Sequence, residues 1–182
     1  IIKLDEYMDH GSIIAKEKLS IGDRKITYGE LQKELARRGS DLLIETIPQW
    51  IQGMIMPIPQ DDKEATYSKI ITKEDGRINW ENSAEDTERW VRAYTPWPGA
   101  WTLWPLPEGT GAHRIHIDEA ECLDDEPAYG SPGFVWQYQK GIAVKTGRGS
   151  LAVQRLTVEG KKTTDSASFL RGYPSIAEST LI

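Results

Sequence analysis

The sequence predicts an α/β segment followed by a β-rich domain, a small barrel or sandwich. Three observations carry this. Apolar residues recur at helical spacing through the first third, a Pro-rich stretch interrupts at 57–59, and beyond Trp101 the period falls to about two. With 182 residues, 38% hydrophobic and 27% charged, the chain can bury a sizeable core. A net charge of -6 argues against a uniformly basic nucleic-acid binder, though local basic faces remain open. A single cysteine, Cys122, cannot form an internal disulfide, which fits a reducing compartment. No apolar run is long enough to span a membrane, so neither membrane partner nor anchor is expected. The chain begins Ile-Ile-Lys without Met and reads as the C-terminal piece of a longer protein.

Taken in order, Ile1–Asp5 is a short apolar strand entering an acidic loop, Asp5-Glu6-Tyr7-Met8-Asp9-His10-Gly11. Residues 13–19 read as a second strand, ending in a turn at Gly22-Asp23. Thr27-x-x-Glu30 has the form of a capping box, in which each side chain satisfies an orphan backbone N–H. Tyr28, Leu31 and Leu35 follow at helical spacing, and Leu43, Ile47, Trp50 and Met54 continue it after a break near Gly39. This apolar stripe is expected in the core, and Pro48 is expected to kink the second helix or delay its start. Strand, loop, strand, helix makes the last quarter of an α/β domain, with boundaries 1–57.

A semi-extended linker is expected over 58–73, and a second domain over 74–182. Ser83-x-x-Asp86 caps a helix that Pro96-Trp97-Pro98-Gly99 stops. Arg92 is placed to pair with Glu88, four residues earlier. Strands are then expected at 114–117, 134–136, 142–145 and 151–156, with one closing helical turn at 165–170. Trp80, Trp90 and Trp97 are expected in the core; Trp101, Trp104 and Trp136 could pack there or stack on nucleobases.

Charge is unevenly spread. Residues 118–126 hold six acids in nine positions, read as a loop that would repel phosphates. Residues 140–171 hold seven basic residues against two acidic ones, a candidate phosphate-binding face. Three scattered histidines and one cysteine offer no metal-ligand spacing, so no metal is expected.

Two stretches resemble one family. Asp5-x-x-Met8-Asp9-His10-Gly11-x-Ile13-Ile14 is similar to the catalytic loop of folate-dependent formyltransferases, Leu/Met-Asp-x-Gly-Pro-Ile, with Ser12 where Pro is usual. Gln60-Asp61, Ala65-Thr66-Tyr67, Ile78-x-Trp80, Arg92-Ala93 and Pro96-Trp97-Pro98-Gly99-Ala100 resemble the later part of methionyl-tRNA formyltransferases. Gly160-Lys161-Lys162 and Phe169-Leu170-Arg171-Gly172 extend that match, although Thr163-Thr164-Asp165 replaces the usual Pro-Met-Ser.

The resemblance implies the end of a Rossmann-like catalytic domain followed by an open OB-like β-barrel. It implies transfer of a formyl group from 10-formyltetrahydrofolate to the methionine amine of initiator methionyl-tRNA, by a cytoplasmic monomer. It assigns Asp9 as the catalytic carboxylate and implies that the C-terminal barrel contacts tRNA; within the basic 140–171 stretch, Lys145, Arg148, Lys161, Lys162 and Arg171 are the candidate contacts. The family's Asn-x-His pair has no counterpart in this sequence, so the piece is expected to be inactive alone. By themselves Asp9-His10-Gly11 read as a tight turn, and His10 as an ordinary loop residue. Two alternatives stay open: a sugar-amine formyltransferase of the same architecture, and a non-catalytic RNA-binding module.

Overall fold

The structure is a computed structural model that describes residues 1–22, 24–106, 111–124, 127 and 129–182. The chain divides into two compact units, 1–70 and 71–182.

Unit 71–182 holds the sheet. Its strands are β1 (Ala100–Pro105), β2 (Ala112–Leu123), β3 (Val135–Tyr138), β4 (Gly141–Lys145), β5 (Ser150–Val158) and β6 (Thr164–Asp165). All pairs are antiparallel in the order β1-β2-β5-β4-β3, with β6 beside the later half of β5. A register shift in β2 between Ile117 and Ala120 bends this long strand, so that its first half serves β1 and its whole later length serves β5. The two outer strands do not stay open. Residues 178–182 bond first to β3, through Glu178 N–H to Val135 O at 2.8 Å and Val135 N–H to Ser179 O at 2.8 Å. They then reach β1, where Ile182 and Leu103 exchange both backbone bonds at 2.8 and 2.9 Å. This curled antiparallel sheet, with both edges tied by one tail, is consistent with an OB-like β domain.

The strands expected at 114–117, 134–136, 142–145 and 151–156 are present as β2, β3, β4 and β5: Leu151, Val153 and Leu156 of β5 join the core with Ile115, Ile117, Val135, Val144 and Phe169, while β4 buries three successive residues, Ile142, Ala143 and Val144. Strands β1 and β6 are the two that alternation did not single out. In β1, Thr102 is fully buried yet satisfied, accepting from Trp80 Nε1 at 3.0 Å and donating to Ile182 O at 3.1 Å. Helix α2 (Ala84–Tyr94) starts at Ser83, whose hydroxyl accepts from Asp86 N–H at 3.1 Å. Helix α3 (Ser166–Gly172) starts at Asp165, which accepts from Ser168 N–H at 2.8 Å.

Two expectations are corrected here. Asp118, Glu119 and Glu121 lie in strand β2, not in a loop; Thr157 donates to Asp118 at 2.7 Å and Gln154 to Glu121 at 3.0 Å. Asp124 follows the strand, while Asp125 and Glu126 lie outside the described residues. Trp90 is 37% exposed because the α2 face that packs inward presents Ala84, Thr87, Glu88 and Val91 instead, and Trp97, in the turn beyond the helix, is 53% exposed. Trp80, Trp101 and Trp104 are the buried tryptophans among the described residues.

Unit 1–70 carries one long helix, α1 (Tyr28–Ile51), and the expected capping box is formed at Thr27 and Glu30. The helix runs through Gly39 and Pro48 without the expected break. A mid-helix Gly costs about 1 kcal/mol. Opposing it, Arg37 bridges Glu34 and Asp41 at 3.2 and 3.0 Å, and Arg38 pairs with both Glu34 and Glu17. The apolar stripe is not core within this chain: Leu35 is 50% and Ile51 77% exposed, and Thr46 is the helix's buried residue. The two strands expected before it are single bridges only, Ile2 to Ile13 and Ile13 to Ile58. One bridge per neighbour is too little for a ladder to persist as a strand. Ile58, expected at the start of the linker, is thereby tied into unit 1–70.

Candidate functional site

The loop over residues 5–12 is closed at its base by Lys3 N–H to Ser12 O at 2.9 Å and by the Ile2–Ile13 bridge. Gly11 is buried at this closure, and a Cβ there would fall 1.6 Å from Lys3 O. Any side chain would push the two arms apart, so the Asp-x-Gly pattern has a steric cause. Asp9 takes the left-handed conformation, φ 56°, which Asp tolerates better than most residues. It is exposed at the tip of a turn, and among the described residues its carboxylate has no hydrogen-bond or ion-pair partner. A free carboxylate on a closed loop can accept a proton from a bound reactant.

His10, next along, lies in that loop and faces two acids. Its Nδ1 is 2.7 Å from Asp5 Oδ2, and its Nε2 is 3.3 Å from Asp62 Oδ1. The hydrogen bond to Asp5, aided by both negative charges, raises the His10 pKa. The same bond, with a second from Tyr7 N–H, lowers that of Asp5. Gln60 completes the surroundings, donating through Nε2 to Asp9 O at 2.8 Å and Gly11 O at 2.7 Å. Reading the sequence missed Gln60 and Asp62 as partners of this loop; the Gln60-Asp61 motif was the available signal.

The five basic residues do not converge. Lys145 ends β4 and Arg148 lies in the turn to β5, its Nη2 3.3 Å from Glu85 Oε2. Lys161 and Lys162 follow the turn at the other end of β5, where Gly160 sits at φ 77° and Lys161 N–H reaches Val158 O at 2.9 Å. Strand β5 separates the two pairs by roughly 25 Å at about 3.3 Å per residue. Arg171 lies in the last turn of α3 and donates to Ser168 Oγ at 2.8 Å. Arg155, central in β5, is 3.9 Å from Glu119. The basic stretch therefore forms two patches interleaved with acids.

Residues 70–174 match the sequence family described as formyl transferase, C-terminal domain. The chain belongs to that family. Among similar curated proteins, the methionyl-tRNA formyltransferase of Chlamydia pneumoniae is 35% identical over 96% of this chain and 54% of its own length. That of Roseiflexus sp. strain RS-1 is 38% identical over 94% of this chain and 51% of its own length. The chain thus spans about half the length of these formyl transferase relatives. Among solved structures, HypX from Aquifex aeolicus in complex with tetrahydrofolic acid has a TM-score of 0.65 at 20% identity, covering 93% of this chain and 29% of HypX. A HypX variant reaches 0.67 at 19% identity, over 97% and 31%. At these identities the likeness concerns fold, over nearly all of this chain.

Proposed function

We propose that the chain is the C-terminal part of an enzyme moving a formyl group from 10-formyltetrahydrofolate to the methionine amine of initiator methionyl-tRNA, as a monomer in the cytoplasm. The observation that carries this is similarity at 35–38% identity along nearly the whole chain to proteins of that name. HypX, crystallised with tetrahydrofolic acid, supports a folate donor through its shared fold. The exposed apolar stripe of α1 supports the reading of unit 1–70 as the end of a Rossmann-like domain, since such a face needs a partner layer. Domain boundaries near 1–57 and 74–182, joined by a connecting segment, belong to the same proposal.

In this reaction the amine nitrogen attacks the formyl carbon, and the bond from that carbon to the folate nitrogen breaks. The amine loses a proton and the folate nitrogen gains one. Asp9 is the carboxylate that takes the amine proton, directly or through one water. It is free to do so because neither a cation nor a backbone N–H competes for it among the described residues. Polarising the formyl oxygen falls, in this proposal, to the Asn-x-His pair that the resemblance implies in the longer polypeptide. On the acceptor side, Lys145 and Arg148 form one phosphate-binding patch, with Lys161 and Lys162 a second; Arg171 is a further tRNA contact.

The test is Asp9→Asn in a polypeptide extended to the length of the relatives. Formyl transfer to initiator methionyl-tRNA should fall by roughly 10²- to 10⁴-fold with the fold retained. Near-normal turnover would remove Asp9 from the mechanism.

A further inference from the structure

The segment that leaves α1 returns to the Asp9 loop and grips it at three successive points. Ile58 and Ile13 exchange both backbone hydrogen bonds, at 2.8 and 2.9 Å. Gln60 Nε2 reaches two carbonyl oxygens, of Asp9 at 2.8 Å and of Gly11 at 2.7 Å. Asp62 Oδ1 stands 3.3 Å from His10 Nε2. The middle contact is the informative one. An amide oxygen facing two carbonyl oxygens would be repelled, so the NH2 group must sit there, giving one N–H to each. Those two carbonyls flank His10, so a single side chain spans the turn in which Asp9 holds φ 56°.

We infer that Gln60 is a positioning residue for formyl transfer: its amide fixes the backbone from which the Asp9 carboxylate projects. This rests on the reading of Asp9 as the catalytic carboxylate. The physical reason is that proton transfer needs donor and acceptor within hydrogen-bond reach, and a displacement of about 1 Å can cost on the order of 100-fold in rate. Gln60 is exposed, as is its bond to Asp9 O, while the bond to Gly11 O is half-buried, so losing the side chain exposes the turn to water at a local cost in stability. The loop stays closed by Lys3, Ser12 and the Ile2–Ile13 bridge, while the turn at its tip loses its brace. A residue of this kind alters rate while leaving folding and substrate affinity in place.

The decisive variant is Gln60→Met, which keeps the length of the side chain and removes both donors. In a polypeptide extended to the relatives' length, kcat should fall roughly 10- to 100-fold. KM for 10-formyltetrahydrofolate and for methionyl-tRNA should stay within about twofold, the split expected when only transition-state geometry suffers. In the same extended polypeptide, the amide resonances of His10 and Gly11 should shift and exchange faster, with the unfolding midpoint unchanged. A normal kcat in Gln60→Met, alongside an inactive Asp9→Asn, would overturn the positioning role alone. So would a loss of kcat that tracks a lower unfolding midpoint. Retained turnover in Asp9→Asn would instead remove the catalytic reading on which the role rests.

Discussion

His10 lies between Asp5 and Asp62, and its charge sets how firmly residues 5–10 are held. The hydrogen bond to Asp5, then the charges of Asp5 and Asp62, raise its pKa above 6.5, whereas the same bond lowers that of Asp5 below 3.8. The signs fix a window. The raised histidine contributes stability that is complete at acid pH and is lost as pH rises through its folded value. The lowered aspartate contributes stability that is lost as pH falls through its own folded value. The ion pair therefore holds the loop between those two limits, and since all three groups are exposed, salt should weaken it. NMR titration of the His10 ring should give a midpoint above 6.5 that moves back towards 6.5 in Asp5→Asn. An unmoved midpoint would show that Asp5 does not govern the charge. At this scale the sequence made Asp9 and Gly11 legible, because their chemistry and their spacing are local. It left Gln60 illegible, because 49 positions separate it from Gly11 and only folding brings them together.

Among the elements, α2 shows how burial turns one common pairing into a structural requirement. Glu88 is 5% exposed, and Arg92 meets it with two bonds, Nε to Oε1 at 2.8 Å and Nη2 to Oε2 at 3.0 Å. On the outer face of the same helix, Arg89 and Asp86 pair at 3.1 Å with both side chains in water. Removing one partner of a buried pair strands the other, whereas an exposed pair is worth about 0–1 kcal/mol. Glu88→Gln should therefore cost about 1–3 kcal/mol, read as a lower urea midpoint at unchanged slope. Asp86→Asn has a complication, since Ser83 also bonds to that carboxylate, so Arg89→Ala is the cleaner control and should be close to neutral. Equal effects from the two variants would mean that Glu88 is not isolated from solvent. Strand alternation and helix caps made α2, α3 and four strands of the sheet legible. What the apolar stripe of α1 could not reveal is whether its partner layer lies within this chain. Amphipathicity states that a face needs covering and says nothing about what covers it. The 178–182 tail was equally hidden, because five residues without alternation carry no strand signal of their own.

Across the whole molecule, the two units differ in how they bury surface, and that difference predicts how each behaves alone. Unit 71–182 contains every ladder of the sheet, the buried cluster from Ile78 to Leu181, and the tail that closes both edges. Unit 1–70 contains α1, isolated bridges and one buried glycine at the loop closure, with Leu35, Ile44, Ile47 and Ile51 in water. Folding must offset about 1–2 kcal/mol of backbone entropy per residue, and only buried apolar area of the kind seen in 71–182 does so. An isolated 71–182 polypeptide should therefore unfold in one cooperative step and keep the resonances that its residues show in the 182-residue chain. The 1–70 polypeptide should show partial helix, no cooperative transition, and association through its exposed apolar residues. Deleting 178–182 from the larger piece should lower its midpoint, because β1 and β3 both lose backbone partners and become free edges. A 71–182 polypeptide that failed to fold would mean that its sheet depends on the first unit. The division of labour proposed for the enzyme, with proton transfer in one unit and tRNA phosphates on the other, would then lose its physical basis.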